Sequence, residues 1–316
     1  MINVLYQFDD KYAPFAGVSI QSLLENNKEH DLTVYLAGME VSGKNRERIE
    51  NMIETNGKKY VWLDVSEAVS IIESLHVGKW NGSYATWIKM FVIHKLQESV
   101  DKILYLDCDT IVAGDLGAVY DTGLKDCPLA CAYDSLAQGI AKRIGLKAYY
   151  NAGVILFNVP KWREEGFFEK MLTHLKAHVS EYPDNEQRLI NDYFRDRVGL
   201  LPVKGNLQCT HFAFDDDRYF KVFAPDPYYG REEIKEAREA PVVCHFFRFL
   251  GDYPWETKNL HPMGDLYLKW KERSPWEKDP LLDKKRKPLF LIERLLYRIL
   301  PETLFLRIFK FAQENG

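Results

Sequence analysis

"KILYLDCDTIV" (residues 102–112) decides the fold, because it joins an apolar run directly to two acidic residues, Asp107 and Asp109. We predict that the segment is one buried strand with both acids at its carboxyl end, where ligands bind in open α/β sheets. Side chains at positions i and i+2 of a strand point the same way. Two carboxylates placed in this way can hold one divalent cation through their oxygens and leave coordination sites for a ligand.

Strand and helix patterns alternate along the chain, which is typical of an α/β protein. Apolar runs predict further strands at 2–8, 32–38, 59–65, 128–134, 152–159, 199–203 and 240–246. Amphipathic spacing predicts helices at 13–27, 42–57, 84–96, 161–179 and 185–196. We therefore expect a Rossmann-like mixed sheet flanked by helices.

The composition is that of an ordinary globular protein. Of 316 residues, 46% are hydrophobic and 28% are charged, and the net charge of -4 gives no reason to expect a nucleic-acid partner. The five cysteines lack paired spacing, which predicts free thiols in a reducing compartment. The chain does not begin like a signal peptide, and no apolar run reaches the roughly 20 residues of a membrane span. We expect a cytoplasmic protein.

Excess positive charge is confined to the end of the chain. Residues 284–316 hold eight Lys/Arg against three Glu, a net of +5, so the other residues carry -9. This segment reads as two basic amphipathic helices separated by Pro301, a type that binds anionic membrane surfaces. Packing on the body or on a second subunit is the alternative. We divide the chain into a catalytic body, 1–273, and a basic helical tail, 274–316, and expect the protein at the inner face of the plasma membrane. Its oligomeric state is left open.

Two chemistries fit Asp107 and Asp109. In the first, His245, which ends the apolar run "PVVCHF", completes a metal site, and a nitrogen ligand beside two carboxylates suits Mn²⁺. In the second, "LYLDCDT" is the nucleophile motif of a haloacid-dehalogenase phosphatase, and the acidic run 215–217 imitates a later motif of that family. The nucleophile motif normally lies on the first strand of its fold, whereas three predicted strands precede it here. The metal interpretation is favoured.

Four blocks, in order, resemble the family 8 retaining glycosyltransferases, which include bacterial lipopolysaccharide α-glucosyl- and α-galactosyltransferases and glycogenin. The blocks are "INVLYQFDDKYAPFAGVSIQSLLENN", "DKILYLDCDTIVAGDLGAVYDTGL", "AYYNAGVILFNVPKWREEG" and "VVCHFF…DYPW", and they span residues 2 to about 260. Together they are highly specific. The resemblance implies a GT-A type α/β fold with a nucleotide sugar bound at the strand ends.

The resemblance also implies the metal and the donor. Asp107 and Asp109 would hold Mn²⁺ or Mg²⁺ with His245 as third protein ligand, and the ion would neutralise the diphosphate of a UDP-hexose. Asp9 would contact the uracil, and Gln7 would lie near it through backbone groups.

Three further positions follow from the same resemblance. Asn151, in "NAGV", would lie beside the transferred sugar, and Asp134 would hydrogen-bond the hydroxyls of that sugar. Lys89 stands where the family usually has Arg, which keeps the charge but loses the forked geometry.

Two blocks depart from the family pattern. The motif usually written D-Q-D-x-L-N reads "DNEQRLIN" here, which aligns Glu186 with the first Asp and Gln187 with the Gln; a second register would use Asp184. Family members often carry Gly three residues and Lys six residues after the His, where this chain has Arg248 and Gly251. Arg248 could replace the missing Lys as a cationic clamp on the diphosphate.

The resemblance implies a metal-dependent hexosyltransferase that moves glucose or galactose from UDP to a glycan or lipid-linked acceptor with α linkage. Gln187 would lie on the β face of the sugar, as nucleophile of a covalent intermediate or beside a front-face attack by the acceptor. A carboxamide is a poor nucleophile, so front-face attack is favoured. A catalytically inactive sugar-nucleotide or glycan-binding relative is one alternative, and the phosphatase is the other.

Overall fold

Ten strands and fifteen α-helices occur in the part of the chain that the computed structural model describes, residues 1–79, 83–182 and 186–315. The strands are β1 Ile2–Asp9, β2 Leu32–Met39, β3 Lys59–Trp62, β4 Lys102–Leu106, β5 Thr110–Val112, β6 Leu129–Tyr133, β7 Tyr150–Asn158, β8 Val198–Leu200, β9 Leu207–Gln208 and β10 Val243–His245. The helices are α1 Ala13–Asn26, α2 Gly43–Thr55, α3 Ser66–Leu75, α4 Ile88–Val92, α5 Gly117–Tyr120, α6 Gln138–Arg143, α7 Val159–Glu164, α8 Phe167–His178, α9 Glu186–Phe194, α10 Thr210–Ala213, α11 Asp216–Phe223, α12 Arg231–Glu239, α13 Gly264–Lys271, α14 Pro288–Ile299 and α15 Glu302–Asn315.

Seven of these strands form a mixed sheet in the order β3-β2-β1-β4-β7-β6-β8. Strands β1 to β4 run parallel to one another, whereas β7 runs antiparallel to both β4 and β6. Alternate residues of β4 face opposite sides, so that Leu104 belongs to the apolar core on one face and Tyr105 to the core on the other. Helices cover both faces, which is why the central strands are apolar on both sides. The predicted mixed sheet flanked by helices is confirmed.

The prediction of one strand over residues 102–112 is wrong. The chain leaves the large sheet after Leu106, turns through Asp107 and Asp109, and enters a second sheet of order β5-β10-β9. Backbone hydrogen bonds hold the turn: the N–H of Asp107 donates to the carbonyl of Gly153 (2.8 Å), and the N–H of Phe246 donates to the carbonyl of Asp109 (2.7 Å). The two acids therefore lie between two sheets and not along one strand.

Other boundaries also differ from the predictions. The predicted helix at 161–179 is two helices, α7 and α8, because the chain turns at Glu165 and Gly166. The predicted helix at 84–96 contains only the short α4, with 3₁₀ turns at Ala85–Trp87 and Ile93–Lys95. Periodicity alone did not reveal α3 or β9. None of these differences moves a predicted strand out of the sheets.

The tail forms a hairpin of α14 and α15 that packs on the body. Phe305, Leu306 and Phe309 of α15 are buried in the same core as the β-sheet. Apolar side chains also remain exposed on the outer side of the hairpin: Leu289, Leu291, Ile292, Leu295, Ile299, Leu304, Ile308 and Phe311. None of the helices in the described ranges is long and apolar enough to cross a membrane.

Candidate active site

Three residues that could hold a metal ion converge where the two sheets meet. Asp107 and Asp109 lie in the turn between β4 and β5, and His245 ends β10, opposite Thr110 in the β5–β10 ladder. The Nε2 atom of His245 lies 3.2 Å from Asp109 Oδ1 and 3.9 Å from Asp107 Oδ2. One ligand atom from each residue lies within 4.8 Å of the other two. The structure thus brings the three predicted ligands together through a turn.

The charges and hydrogen bonds around His245 fit a divalent cation. Burial lowers the pKa of its imidazole, but the carboxylates of Asp109 and Asp107 outweigh burial, and the pKa is raised. His245 Nδ1 lies 3.1 Å from Oδ1 of Asn206, whose amide orientation is set because its Nδ2 donates to Asn151 Oδ1 at 2.9 Å. In the neutral imidazole Nδ1 therefore carries the proton and Nε2 is available to a metal. Two carboxylates and one imidazole suit Mn²⁺ or Mg²⁺.

A chain of hydrogen bonds leads from this cluster to the residues predicted to contact the transferred sugar. The Nδ2 of Asn151 donates to Asp134 Oδ2 at 3.1 Å. Gln187 Nε2 donates to the same oxygen at 3.3 Å, while its Oε1 accepts from the N–H of Ala152 at 3.0 Å. The other oxygen of Asp134 accepts from two backbone N–H groups at the start of α6. These contacts orient all three side chains in one network.

Lys89 and Glu186 form a buried ion pair. The Nζ of Lys89 lies 2.5 Å from Glu186 Oε1, 3.9 Å from Asp107 Oδ1 and 4.1 Å from the ring centre of Tyr105. Burial raises the pKa of Glu186, and the charge of Lys89 opposes that effect. The second carboxylate oxygen, Oε2, is buried and has no hydrogen-bond partner among the described residues, so it is an unused acceptor of a residue that lines the cavity. The alternative residue Asp184 lies outside the described ranges.

The two residues predicted for the uracil lie at the end of β1. The side chain of Gln7 is used inside the protein: its Nε2 donates to the hydroxyl of Tyr105 at 2.8 Å, and its Oε1 accepts from the N–H of Lys89 at 2.6 Å. Gln7 could therefore meet a base only through its backbone, as expected. Asp9 accepts from the N–H of Tyr12 at 3.1 Å and borders a cavity of about 910 Å³ beside the metal cluster's own cavity.

One cavity of about 370 Å³ collects most of the predicted site. Its lining from the body includes Asp107, Asp109, Asp134, Asn151, Glu186, Gln187, His245 and Arg248. Gln7 and Asp9 do not line it, and the buried Lys89 reaches it only through Glu186 and Asp107. The exposed guanidinium of Arg248 lies where a bound anion could reach it.

Two functional contacts were missed by sequence reasoning. Asn206 is fully buried and orients His245, but a single Asn before a two-residue strand carries no signal in the sequence. Tyr105 donates from its hydroxyl to Asp107 Oδ1. That contact could have been found, since Tyr105 precedes Asp107 by two residues and strand periodicity puts both on one face.

The acidic run 215–217 does not join this site. Asp215 accepts from the N–H of Arg218 at the start of α11, Asp216 pairs with Arg238 at 2.5 Å, and Asp217 pairs with Arg231. These acids cap a helix and neutralise surface arginines. The phosphatase interpretation therefore loses its second acidic motif.

Comparisons with known proteins show the family to which the chain is similar. The model of the family described as Glycosyl transferase family 8 matches residues 3–258. General stress protein A of Bacillus subtilis (strain 168) is 25% identical over 285 residues, which cover 87% of this chain and 95% of that protein. Lipopolysaccharide 1,2-glucosyltransferase of Escherichia coli (strain K12) is 25% identical over 293 residues, which cover 90% of this chain and 81% of that protein.

A solved structure shares the arrangement of strands and helices. Galactosyltransferase LgtC, in complex with donor and acceptor sugar analogs, superposes with a TM-score of 0.71 at 21% identity. The match covers 87% of this chain and 96% of that one. At this identity the likeness concerns the fold.

Proposed function

We propose that this chain, which belongs to glycosyltransferase family 8 and has the GT-A fold, is a retaining transferase that moves glucose or galactose from UDP to a glycan or lipid-linked acceptor with α linkage. The observation that carries this proposal is the cavity in which Asp107, Asp109 and His245 meet the hydrogen-bonded network of Asp134 and Gln187. In this proposal the residues that would hold a metal and a diphosphate lie beside polar groups that would bind a sugar.

The donor would lie across this cavity. A bound Mn²⁺ or Mg²⁺, held by Asp107, Asp109 and His245, would neutralise the diphosphate and improve UDP as a leaving group. Arg248 would add a second positive charge to the diphosphate. Asp134 would accept hydroxyls of the hexose, and Asp9 would meet the uracil.

Front-face attack is the mechanism that we favour. The carboxamide of Gln187 is engaged at both ends, by Asp134 and by the backbone of Ala152, which suits orientation of the sugar better than nucleophilic attack. The bond between the anomeric carbon and the phosphate oxygen breaks, and the acceptor oxygen bonds to that carbon on the same face. The departing phosphate oxygen takes the acceptor's proton. Glu186 Oε2 would accept a hydroxyl of donor or acceptor.

The tail would bring the enzyme to a lipid-linked acceptor at an anionic membrane surface. The exposed apolar side chains of the hairpin support this part of the proposal. The positive charges support it less than the sequence suggested, because Lys284, Arg286 and Arg294 pair with acids of the body.

A panel of UDP-sugars with Mn²⁺ tests the proposal through release of UDP. We expect turnover of UDP-glucose or UDP-galactose, and an Asp109→Asn variant that keeps its far-UV circular dichroism but loses roughly a hundredfold or more in rate. Binding of UDP-sugar without turnover, with any acceptor tried, would favour the inactive relative. Phosphate release from simple phosphomonoesters would favour the phosphatase.

A further inference from the structure

The tail lines the active-site cavity as well as packing on the body. Besides the metal cluster, the cavity is bordered by Phe290 and Glu293 of α14 and by Phe309 and Gln313 of α15. A segment that the sequence suggested first as a membrane anchor, with packing on the body as the alternative, therefore contributes side chains to the wall of the proposed donor site.

Phe290 packs directly against the loop that follows His245. A Cβ atom at Gly251 would lie 2.3 Å from Cγ of Phe290. Gly251 also has a φ of +79°, a backbone conformation that residues with side chains rarely adopt. Both the contact and the backbone conformation therefore require glycine at this position. The ring of Phe290 also lies under the guanidinium of Arg248, with its centre 4.9 Å from the guanidinium carbon. Stacking of this kind holds an otherwise exposed arginine in one orientation.

Arg248 lines the same cavity as Asp107, Asp109 and His245. Tyr253 borders the same cavity, and burial raises the pKa of its hydroxyl. The charges of Asp109 and Arg248 both act on that hydroxyl, in opposite directions. Arg248 and the three candidate metal ligands therefore border the same space, which a ligand with two negative groups would occupy.

Helix α14 is fastened to this loop by a buried charge cluster. Asp252, the residue after Gly251, is fully buried and pairs with both Arg286 and Arg294 of the tail, with Arg286 Nε at 2.6 Å. Its Oδ2 also accepts from the N–H of Leu260 at 2.8 Å. A fully buried carboxylate with two arginines fixes the register of α14, and with it the position of Phe290.

We propose that Phe290 is a positioning residue of the active site, which holds Arg248 toward the diphosphate of the donor so that the tail forms part of the donor site. The inference rests on the proposed function, because it requires a nucleoside diphosphate as the ligand. Phe290 acts through Arg248 and does not itself contact the phosphates.

A variant of Glu293 should keep or strengthen UDP binding, whereas a variant of Phe290 should weaken it. Its carboxylate is half-buried beside the cavity, burial raises its pKa, and the charge of Arg248 opposes that effect. A carboxylate here competes with the diphosphate for the same guanidinium. We therefore expect Glu293→Gln to bind UDP as tightly as the unaltered chain or up to roughly threefold more tightly.

The test compares UDP with uridine, which lacks the diphosphate, by calorimetric titration of the full chain with Mn²⁺ present. Phe290→Ala is expected to weaken UDP binding roughly five- to twentyfold and to leave uridine binding within about twofold. Phe290→Trp restores stacking and should restore UDP affinity. Leu291→Ala, on the outer side of the same helix and 53% exposed, is the matched control and should change neither affinity.

A chain that already carries Arg248→Met shows whether Phe290 acts through Arg248. We expect Arg248→Met to bind UDP weakly, and adding Phe290→Ala to that variant should cause no further loss. Four results would overturn the inference and leave the proposed function standing. Two concern Phe290→Ala alone: unchanged affinity for UDP, or an equal loss of affinity for UDP and uridine. The other two are a further loss of UDP affinity when Phe290→Ala is added to Arg248→Met, and weaker UDP binding by Glu293→Gln. Absence of UDP binding by the unaltered chain would overturn both the inference and the proposed function.

Discussion

At the scale of residues, Lys89 and Glu186 each depart from the family pattern, and in the structure the two side chains contact each other. In the sequence they are separate: a Lys where Arg is usual, and a Glu where Asp is usual. In the structure they are partners at 2.5 Å inside the protein. A shorter cation than Arg thus meets a longer anion than Asp.

Because Lys89 and Glu186 contact each other, we expect the activity that each single variant loses to return in the double variant. Lys89→Arg alone should overfill the buried space, and Glu186→Asp alone should withdraw the carboxylate from Nζ, so each should lower kcat/KM by roughly tenfold. The double variant should return to within about threefold of the unaltered chain. Steady-state rates of UDP-sugar turnover for the four proteins measure the coupling. Simple additivity of the two losses would contradict the paired interpretation.

Gly153 is the second residue whose identity the site dictates. A Cβ atom there would lie 2.1 Å from Cε1 of His245 and 2.8 Å from each ring nitrogen. Gly153→Ala should displace the imidazole and weaken Mn²⁺ binding roughly ten- to a hundredfold. Titration followed by the electron paramagnetic resonance of free Mn²⁺ measures this. Gly123→Ala, where a Cβ would meet nothing within 4 Å, is the control and should bind Mn²⁺ normally.

At the scale of elements, the turn between β4 and β5 shows where pattern reasoning fails. The letters of "KILYLDCDTIV" read as one apolar strand around two acids. Pairing with β10 in a second sheet requires the chain to bend after Leu106, and only the position of β10, more than 130 residues later, reveals that requirement. The acids converge because two sheets meet there.

The ion pairs that hold α14 on the body lead to a prediction about the free energy of unfolding. Arg294 is mostly buried and pairs with the fully buried Asp252, so Arg294→Met leaves that carboxylate with one fewer counter-charge. We expect the free energy of unfolding to fall by about 3 kcal/mol. Urea denaturation followed by tryptophan fluorescence measures the change. Arg298→Met, at an exposed position on the same helix, should cost less than about 0.5 kcal/mol.

At the scale of the whole molecule, the tail has two sides. Its inner side lines the cavity, and its outer side exposes Leu291 and Leu295, which are 53% and 56% accessible. Because four of its nine Lys and Arg residues contact the body, apolar burial should carry more of any membrane affinity than charge does.

A vesicle assay tests the outer side alone. We expect the full chain to sediment with vesicles that contain anionic lipid, and Leu295→Glu to weaken that binding roughly tenfold without changing turnover of a soluble acceptor. Leu200→Glu, at an exposed apolar position of the body, is the control. Equal vesicle binding by the Leu295 variant and the unaltered chain would show that the hairpin does not dock on the lipid.

Two buried histidines predict how the molecule responds to acid. Burial lowers the pKa of His211 to about 4 and that of His261 to about 4, from an ordinary value near 6.5. Between about pH 4 and pH 6.5, these histidines are protonated in the unfolded chain but not in the folded chain. The free energy of unfolding therefore decreases as pH falls from about 6.5 toward 4. Each histidine contributes at most about 1.4 kcal/mol per pH unit. Melting temperatures across this range measure the slope, which His261→Asn should reduce; an unchanged slope would contradict the assignment.

The sequence alone was enough to predict the mixed α/β sheet, the family, and the cluster of Asp107, Asp109 and His245. Strand periodicity and the carboxyl-end rule are local, so Asp107 and Asp109 could be predicted near a ligand from their own segment alone, whereas Asp134 was predicted from the family resemblance. Tertiary structure alone decided that Lys89 neutralises Glu186, that Asn206 orients His245, and that Phe290 of the tail reaches Arg248. Those contacts join residues far apart in the chain, and periodicity reports which face a side chain occupies but not which distant side chain will meet it there.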